Sequence, residues 1–223
     1  MKIAQTYSYK KGEEFLNKNH PKELREVIAA ITNTNAANCM LKVSEEKTMN
    51  GKLLFSPVEF NNQIKAYLLK YHWTKKTDSK KGFKEPRIYF GKNRFREMDG
   101  IKNKVGLEVQ FGKYAFMGYD IFSKMVIFKN QDKIECGIEV VSTQELVRKM
   151  STGVSGFDQI LVDFKNRGEA NIDIPVLVLG IGLTEKEAIQ CKKMEKLFKR
   201  NPSDFYKKFK IKKPGSKTKP GPK

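Results

Sequence analysis

The sequence predicts an α/β fold, a central mixed β-sheet flanked by helices, and three observations lead there. Short apolar runs such as VLVLGIG have the length and β-branched content of buried strands. Other segments repeat their apolar residues at the three- and four-residue spacing of helices, and the two kinds alternate along the chain. The 223 residues are 39% hydrophobic and 11% aromatic, enough to bury one sizeable core or at most two small ones.

Each element has a local reason. Pro21 opens an amphipathic helix through LREVIAAI, because proline is tolerated in a first turn, where its missing N–H has no partner to lose. A second helix follows Ser56, which caps it, with Pro57 at the first position, Glu59 where a capping box needs it, and Val58, Ile64, Leu68 and Leu69 as the apolar stripe. Residues 74–86, charged and containing Gly and Pro, predict an exposed loop. Strands follow over 87–90 and 105–111. A helix over 116–128 carries Phe116, Tyr119, Phe122 and Phe128 at a spacing that suits core or subunit contact rather than base stacking. Next come a strand over 134–141, a short helix behind a Ser142/Glu145 capping box, the small-residue loop MSTGVSG, a helix over 157–165 and the strand VLVLGIG.

The formal net charge is +19, from 44 Lys and Arg against 25 Asp and Glu. Such an excess favours a polyanionic partner, nucleic acid first and an anionic membrane surface second. The membrane is the weaker reading, since no apolar run approaches the roughly 18 residues that span a bilayer and the N-terminal segment lacks the apolar centre of a signal peptide. A cytoplasmic protein is expected. Cys39, Cys136 and Cys191 are scattered singly, and with His20 and His72 they form no zinc or redox spacing, so they read as reduced thiols. Residues 192–223 hold 13 Lys or Arg and 2 Asp or Glu, and end in KKPGSKTKPGPK, which has nothing to bury and is expected to be disordered, attracting phosphates non-specifically or serving only solubility.

The stretch GLEVQFGK places Glu108 and Gln110 on one face of a strand and Leu107, Val109 and Phe111 on the other. Alone, that is an ordinary half-solvated edge. Asp99 lies nine residues before Glu108, however, and the intervening GIKNKV suits a turn that brings a second carboxylate back to the first. Two adjacent carboxylates repel unless a proton or cation lies between them, and hard oxygen donors favour a magnesium-like ion. Phosphodiester hydrolysis, a chemistry suited to a basic protein, uses such an ion. Asp-x8-Glu-x-Gln is a variant of the Asp-x(n)-Asp/Glu-x-Lys signature of metal-dependent nucleases.

The surrounding residues are more specific. KVGLEVQFGKYAFMGYDIFSKMVIF, DKIECGIEVV and LLFSPVEFNNQIKAYLLKYHW resemble the BstYI/BglII family of type II restriction endonucleases, within the PD-(D/E)XK superfamily. The resemblance covers residues 1–182 apart from 75–97, and implies a restriction-endonuclease-like catalytic and DNA-binding domain there. Beyond it the chain reads as an addition, a helical extension over 183–200 and a basic, disordered tail over 201–223. The resemblance also implies a homodimer that cuts double-stranded DNA with Mg2+ at a GATC-core palindrome, purine-GATC-pyrimidine, leaving 5′-phosphate and 3′-hydroxyl ends, paired with a cognate DNA methyltransferase. Asp99, Glu108 and the main-chain carbonyl of Val109 would bind the metal. Gln110, where most of the superfamily carries lysine, would orient the nucleophile by hydrogen bonding. Lys113 would face guanine in the major groove, and Ser151 and Thr152 would belong to a recognition loop. Two other functions fit the basic composition: a structure- or damage-directed nuclease of the same superfamily, and a nucleic-acid-binding protein without catalysis.

Overall fold

Residues 1–77 and 82–211 are described by the computed structural model. In chain order they form β1 (Lys2–Tyr9), α1 (Gly12–Asn19), α2 (Pro21–Thr32), β2 (Lys42–Val43), β3 (Leu53–Leu54), α3 (Pro57–Lys70), β4 (Lys75–Lys76), β5 (Phe83–Lys84), β6 (Arg87–Tyr89), β7 (Phe95–Glu97), β8 (Gly100–Lys102) and β9 (Val105–Gln110). Then follow α4 (Tyr114–Tyr119), a single wide π-turn (Asp120–Lys124), α5 (Met125–Asn130), β10 (Cys136–Ser142), α6 (Gln144–Val147), α7 (Phe157–Arg167), β11 (Val176–Gly182), α8 (Glu185–Arg200) and α9 (Pro202–Phe209).

The sheet is mixed, as expected, with strand order β1-β11-β10-β9-β8. β9, β10 and β11 run parallel, while β1 and β8 close the two edges antiparallel. The parallel strands are buried along their length, which their near-continuous apolar sequences anticipate. Leu107, Val109, Phe111, Ile138 and Val140 face a core completed by Val27 and Ile31 of α2, Phe60, Ile64 and Leu68 of α3, and Cys191 of α8. Val141, Val176 and Val178 face a second core made with Met117, Met125 and Phe128 around the π-turn and with Phe157, Ile160 and Phe164 of α7.

Several local expectations hold and some are corrected. Ser56 caps α3, accepting from the Glu59 N–H at 3.4 Å, and Pro57 stands in its first turn. Val58 leaves the apolar stripe and is 63% exposed; the buried face is Phe60, Ile64 and Leu68. Ser142 does not cap the following helix: it is the last residue of β10 and fully buried, and Thr143 holds the N-cap position. The expected loop over 74–86 contains the short antiparallel pair β4 and β5.

The helix expected over 183–200 is present as α8, with its box complete: Thr184 accepts from Glu187 N–H and the Glu187 carboxylate accepts from Thr184 N–H. An unstructured tail over all of 201–223 is not what the chain does, because Pro202–Phe209 is helical. Asn201 caps it, and Phe205 is buried with its ring 5.2 Å from Phe198 and 4.5 Å from Phe209. Two phenylalanines four residues apart give this lysine-rich helix an apolar face. The expected disorder of KKPGSKTKPGPK falls on residues 212–223, outside the described residues. The three cysteines are free and buried. No described helix is long and apolar enough to cross a membrane.

α1 lies directly on β11 at Gly12, where a Cβ would stand 2.2 Å from the Val176 carbonyl carbon. Backbone cannot yield as a side-chain tip can. Gly12→Ala should therefore destabilise the fold by about 1–3 kcal/mol, read as a lowered midpoint in thermal unfolding; an unchanged midpoint would show that α1 is free to move off the sheet.

Candidate active site

The turn that returns Asp99 to the sheet is a two-residue hairpin loop, Asn103-Lys104, with both residues at positive φ (45° and 66°) between the paired Lys102 and Val105. That geometry matches the strand twist and holds the register, with Gly100 opposite Leu107. Asp99, one residue beyond, is clipped to the neighbouring strand: its Oδ2 accepts from the Val109 N–H at 2.8 Å. Its Oδ1 meets the Lys65 ammonium of α3 at 2.7 Å, and Lys65 also reaches Glu85 at 3.0 Å.

Glu108 is not on a half-solvated edge. β9 is an interior strand, and Glu108 is 5% exposed beneath the π-turn. The Lys124 ammonium lies 2.8 Å from Glu108 Oε1 and 2.5 Å from Asp120 Oδ1. Burial pushes the Glu108 carboxyl well above the ordinary carboxylate range; Asp99 and Asp120 push the same way and Lys124 opposes them. Asp120 is raised mainly by its own burial. For Lys124 burial acts downward, but Glu108 and Asp120 outweigh it, so the ammonium is held more firmly than in water.

Gln110 is committed at both ends of its amide: Nε2 donates to Asp120 Oδ2 at 3.2 Å, and Oε1 accepts from the Gly112 N–H at 2.9 Å. Behind Glu108, on β10, Glu139 stands directly opposite in the strand register and is fully buried. Neither of its carboxyl oxygens has a hydrogen-bond partner among the described residues. Its carboxyl is raised by burial first and then by Asp120 and Glu108.

Asp99, Glu108, Val109, Gln110, Asp120 and Lys124 line an open cleft of about 270 Å³, joined by Asn61, Phe116 and Tyr119. The Asn61 Oδ1 has no partner among the described residues. Of the four aromatics expected in core or subunit contact, Phe128 is fully buried and Phe122 packs edge-on to Tyr9 and Phe164, whereas Phe116 is 52% exposed at the cleft. No group of three or more His, Cys, Asp or Glu side chains is arranged to hold a metal among the described residues, so a metal here would rest on two carboxylates and main-chain or solvent oxygens.

Lys113 is exposed at the N-cap position of α4, and its backbone bridges to Val154. Tyr114 N–H donates to the Gly153 carbonyl at 3.1 Å and Ser155 N–H to the Gly112 carbonyl at 2.9 Å, so the loop carrying Ser151 and Thr152 is stapled to the end of β9. The Ser151 hydroxyl accepts from Lys42, and Thr152 donates to Glu46 Oε2 from both N–H (2.8 Å) and hydroxyl (2.7 Å). Those bonds hold the Glu46 carboxyl down to about 2. The structure thus gathers two groups at the carboxyl ends of the parallel strands, where open α/β sheets place their ligands: Asp99, Glu108 and Gln110 in the cleft, and Lys113, Ser151 and Thr152 beside it.

Sequence reasoning passes over Lys65, Asp120, Lys124, Glu139, Lys42 and Glu46. Asp120 and Lys124 carry the one local signal, an i,i+4 acid–base pair inside an otherwise aromatic helix.

The family model described as "Restriction endonuclease BglII/BglIII" matches residues 4–181. Among curated proteins, the type II restriction enzyme BglII of Bacillus subtilis is 26% identical over 185 residues, covering 81% of this chain and 76% of that protein. A crystal structure of restriction endonuclease BglII complexed with a DNA 16-mer shares the fold, with a TM-score of 0.65 at 20% identity over 81% of this chain and 79% of that one.

Glu139 supplies a stability test with a definite sign. A carboxyl whose folded pKa is raised contributes most below its unfolded value, and that contribution is lost as pH rises toward the folded value. Glu139→Gln should therefore raise the unfolding midpoint at pH 8 while changing it little at pH 5, the difference growing by at most about 1.4 kcal/mol per pH unit. Unfolding followed across that range checks it, and a gain that does not vary with pH would contradict it.

Proposed function

Because the chain belongs to the BglII/BglIII family of type II restriction endonucleases, we propose that it is a cytoplasmic, magnesium-dependent homodimer that cuts both strands of a GATC-core palindrome, purine-GATC-pyrimidine. It leaves 5′-phosphate and 3′-hydroxyl ends and works beside a methyltransferase that protects the cell's own sites. The observation that carries the reading is the convergence of Asp99 and Glu108 on one cleft, with Asp99 locked to the Val109 N–H at 2.8 Å.

Asp99, Glu108 and the main-chain carbonyl of Val109 would hold the magnesium ion. They are hard oxygen donors, and Glu108 already requires a cation, a need that Lys124 meets in this structure. When bound, the ion offsets charge on the scissile phosphate and makes a water more nucleophilic.

In the hydrolysis a water oxygen bonds to phosphorus and the bond from phosphorus to the 3′ oxygen breaks. Gln110 neither accepts the water's proton nor adds positive charge, so that proton passes to solvent or a phosphate oxygen, and the 3′ oxygen takes one from solvent. Fixed by Asp120 and Gly112, the Gln110 amide orients the water. Lys124, which lines the cleft between Glu108 and Asp120, brings the charge that Gln110 lacks.

Lys113 donates to the O6 and N7 acceptors of guanine, and the hydroxyls of Ser151 and Thr152 meet neighbouring base edges. One site per chain cuts one strand, and a two-fold dimer matches a two-fold palindrome.

Digestion of a plasmid of known sequence should give discrete fragments ending at purine-GATC-pyrimidine sites, and Glu108→Ala should abolish cutting while duplex binding persists. Nicking without sequence preference would point to a non-specific nuclease, and cutting by the Glu108 variant would overturn the site. Lys124→Met should slow single-turnover cleavage about 100-fold with binding retained, and adding Gln110→Lys should restore part of the rate. Wild-type cleavage by Lys124→Met would remove that lysine from the chemistry.

A further inference from the structure

Residues 75–97 hold nine Lys or Arg and three Asp or Glu. That net +6 compares with +8 over all of residues 1–191, so the body outside this segment is close to neutral. Part of the charge is displayed on the hairpin formed by β6 and β7, with Tyr89 opposite Phe95 and Arg87 opposite Glu97.

We propose that this hairpin is an arm that grips the phosphate backbone of duplex DNA flanking the cleft, a surface that extends the nuclease reading above and rests on it. The arm's base is rigid. Ile88 and Met98 are buried in the core, and Met98 N–H donates to the Pro86 carbonyl at 3.1 Å. Its second strand runs through Glu97 and Met98 directly into Asp99. Arg96, three residues before that aspartate, donates from Nε to the Tyr119 hydroxyl at 2.7 Å, and Tyr119 lines the cleft. A phosphodiester placed at Asp99 therefore has its neighbours on the same strand beside this arm.

Lys92, Arg94 and Arg96 are exposed, and none has a carboxylate partner among the described residues. The hairpin's one carboxylate, Glu97, is taken by Arg87 at 2.6 Å. Tyr89, Phe90 and Phe95 are 60%, 45% and 39% exposed, with the Arg87 guanidinium stacked 4.2 Å over the Phe95 ring. Packing does not explain exposed rings interleaved with cations that no carboxylate neutralises; flat faces for sugars beside donors for phosphates do. A second copy of the chain is the poorer occupant, because a two-fold contact through this surface would set the same positive charges against each other.

The test replaces Lys92, Arg94 and Arg96 together with glutamine in the full-length protein. Binding is measured against salt, without metal, on one duplex containing purine-GATC-pyrimidine and one lacking GATC. Affinity should fall on both, and the slope of log K against log salt should flatten by about 0.9 for each phosphate that the arm no longer neutralises. The milder pair Lys92→Gln and Arg94→Gln, both at the exposed tip, should move the slope the same way by less. Unchanged slopes on both duplexes would overturn the arm, as would unchanged slopes with a shift of sedimentation toward monomer, which would assign the surface to a second copy. Failure of the nuclease reading shows separately, as wild-type protein that binds neither duplex or cuts neither.

Discussion

A carboxylate buried in the middle of a sheet sets the terms for everything around it. Glu108 sits beneath a helix, opposite Glu139 in the register and beside Asp99 and Asp120, and the desolvation of each charge costs several kcal/mol unless a partner compensates it. Lys124 and Lys65 are those partners, each bridging two carboxylates at 3.0 Å or less. The arrangement is tolerable in this form because each ammonium serves two carboxylates. Glu139, with no partner on either oxygen among the described residues, marks where compensation is incomplete.

The fold delivers these groups through backbone devices rather than side-chain reach. A two-residue turn with two positive φ angles sets the β8–β9 register, which places Asp99 against the Val109 N–H. The π-turn at Asp120–Lys124 lays an acid and a base, four residues apart, over β9; such widened turns recur at functional sites. The loop 150–156 is stapled to Gly112, just beyond β9, so Ser151 and Thr152 share one support with Glu108 and Gln110.

How much of this is legible follows from the range over which each signal acts. The strand VLVLGIG, the Pro21 and Pro57 helices and the Asp99/Glu108/Gln110 constellation are readable, because period, capping chemistry and close spacing are local properties. Ser142 reads wrongly as a cap, since its sequence pattern is the same whether the residue ends a strand or begins a helix. The helix Pro202–Phe209 is hidden by its lysines, although Phe205 and Phe209 share a face. The partners of Glu108 are not legible at all: Lys124 is 16 residues away and on a different element.

The sequence by itself determined the alternation of elements, the two carboxylates, the amide beside them and a basic surface, and its likeness to a family determined the chemistry to expect. Only the tertiary structure decided that Glu108 is buried rather than solvated, that Lys124 and Lys65 neutralise the cluster, that Glu46 and Lys42 hold the loop of Ser151 and Thr152, and that a basic hairpin stands at the rim of the cleft. The physical reason is range. Periodicity and capping act over a few residues, whereas electrostatic compensation depends on which groups the folded chain brings within a few ångströms, whatever their separation along it.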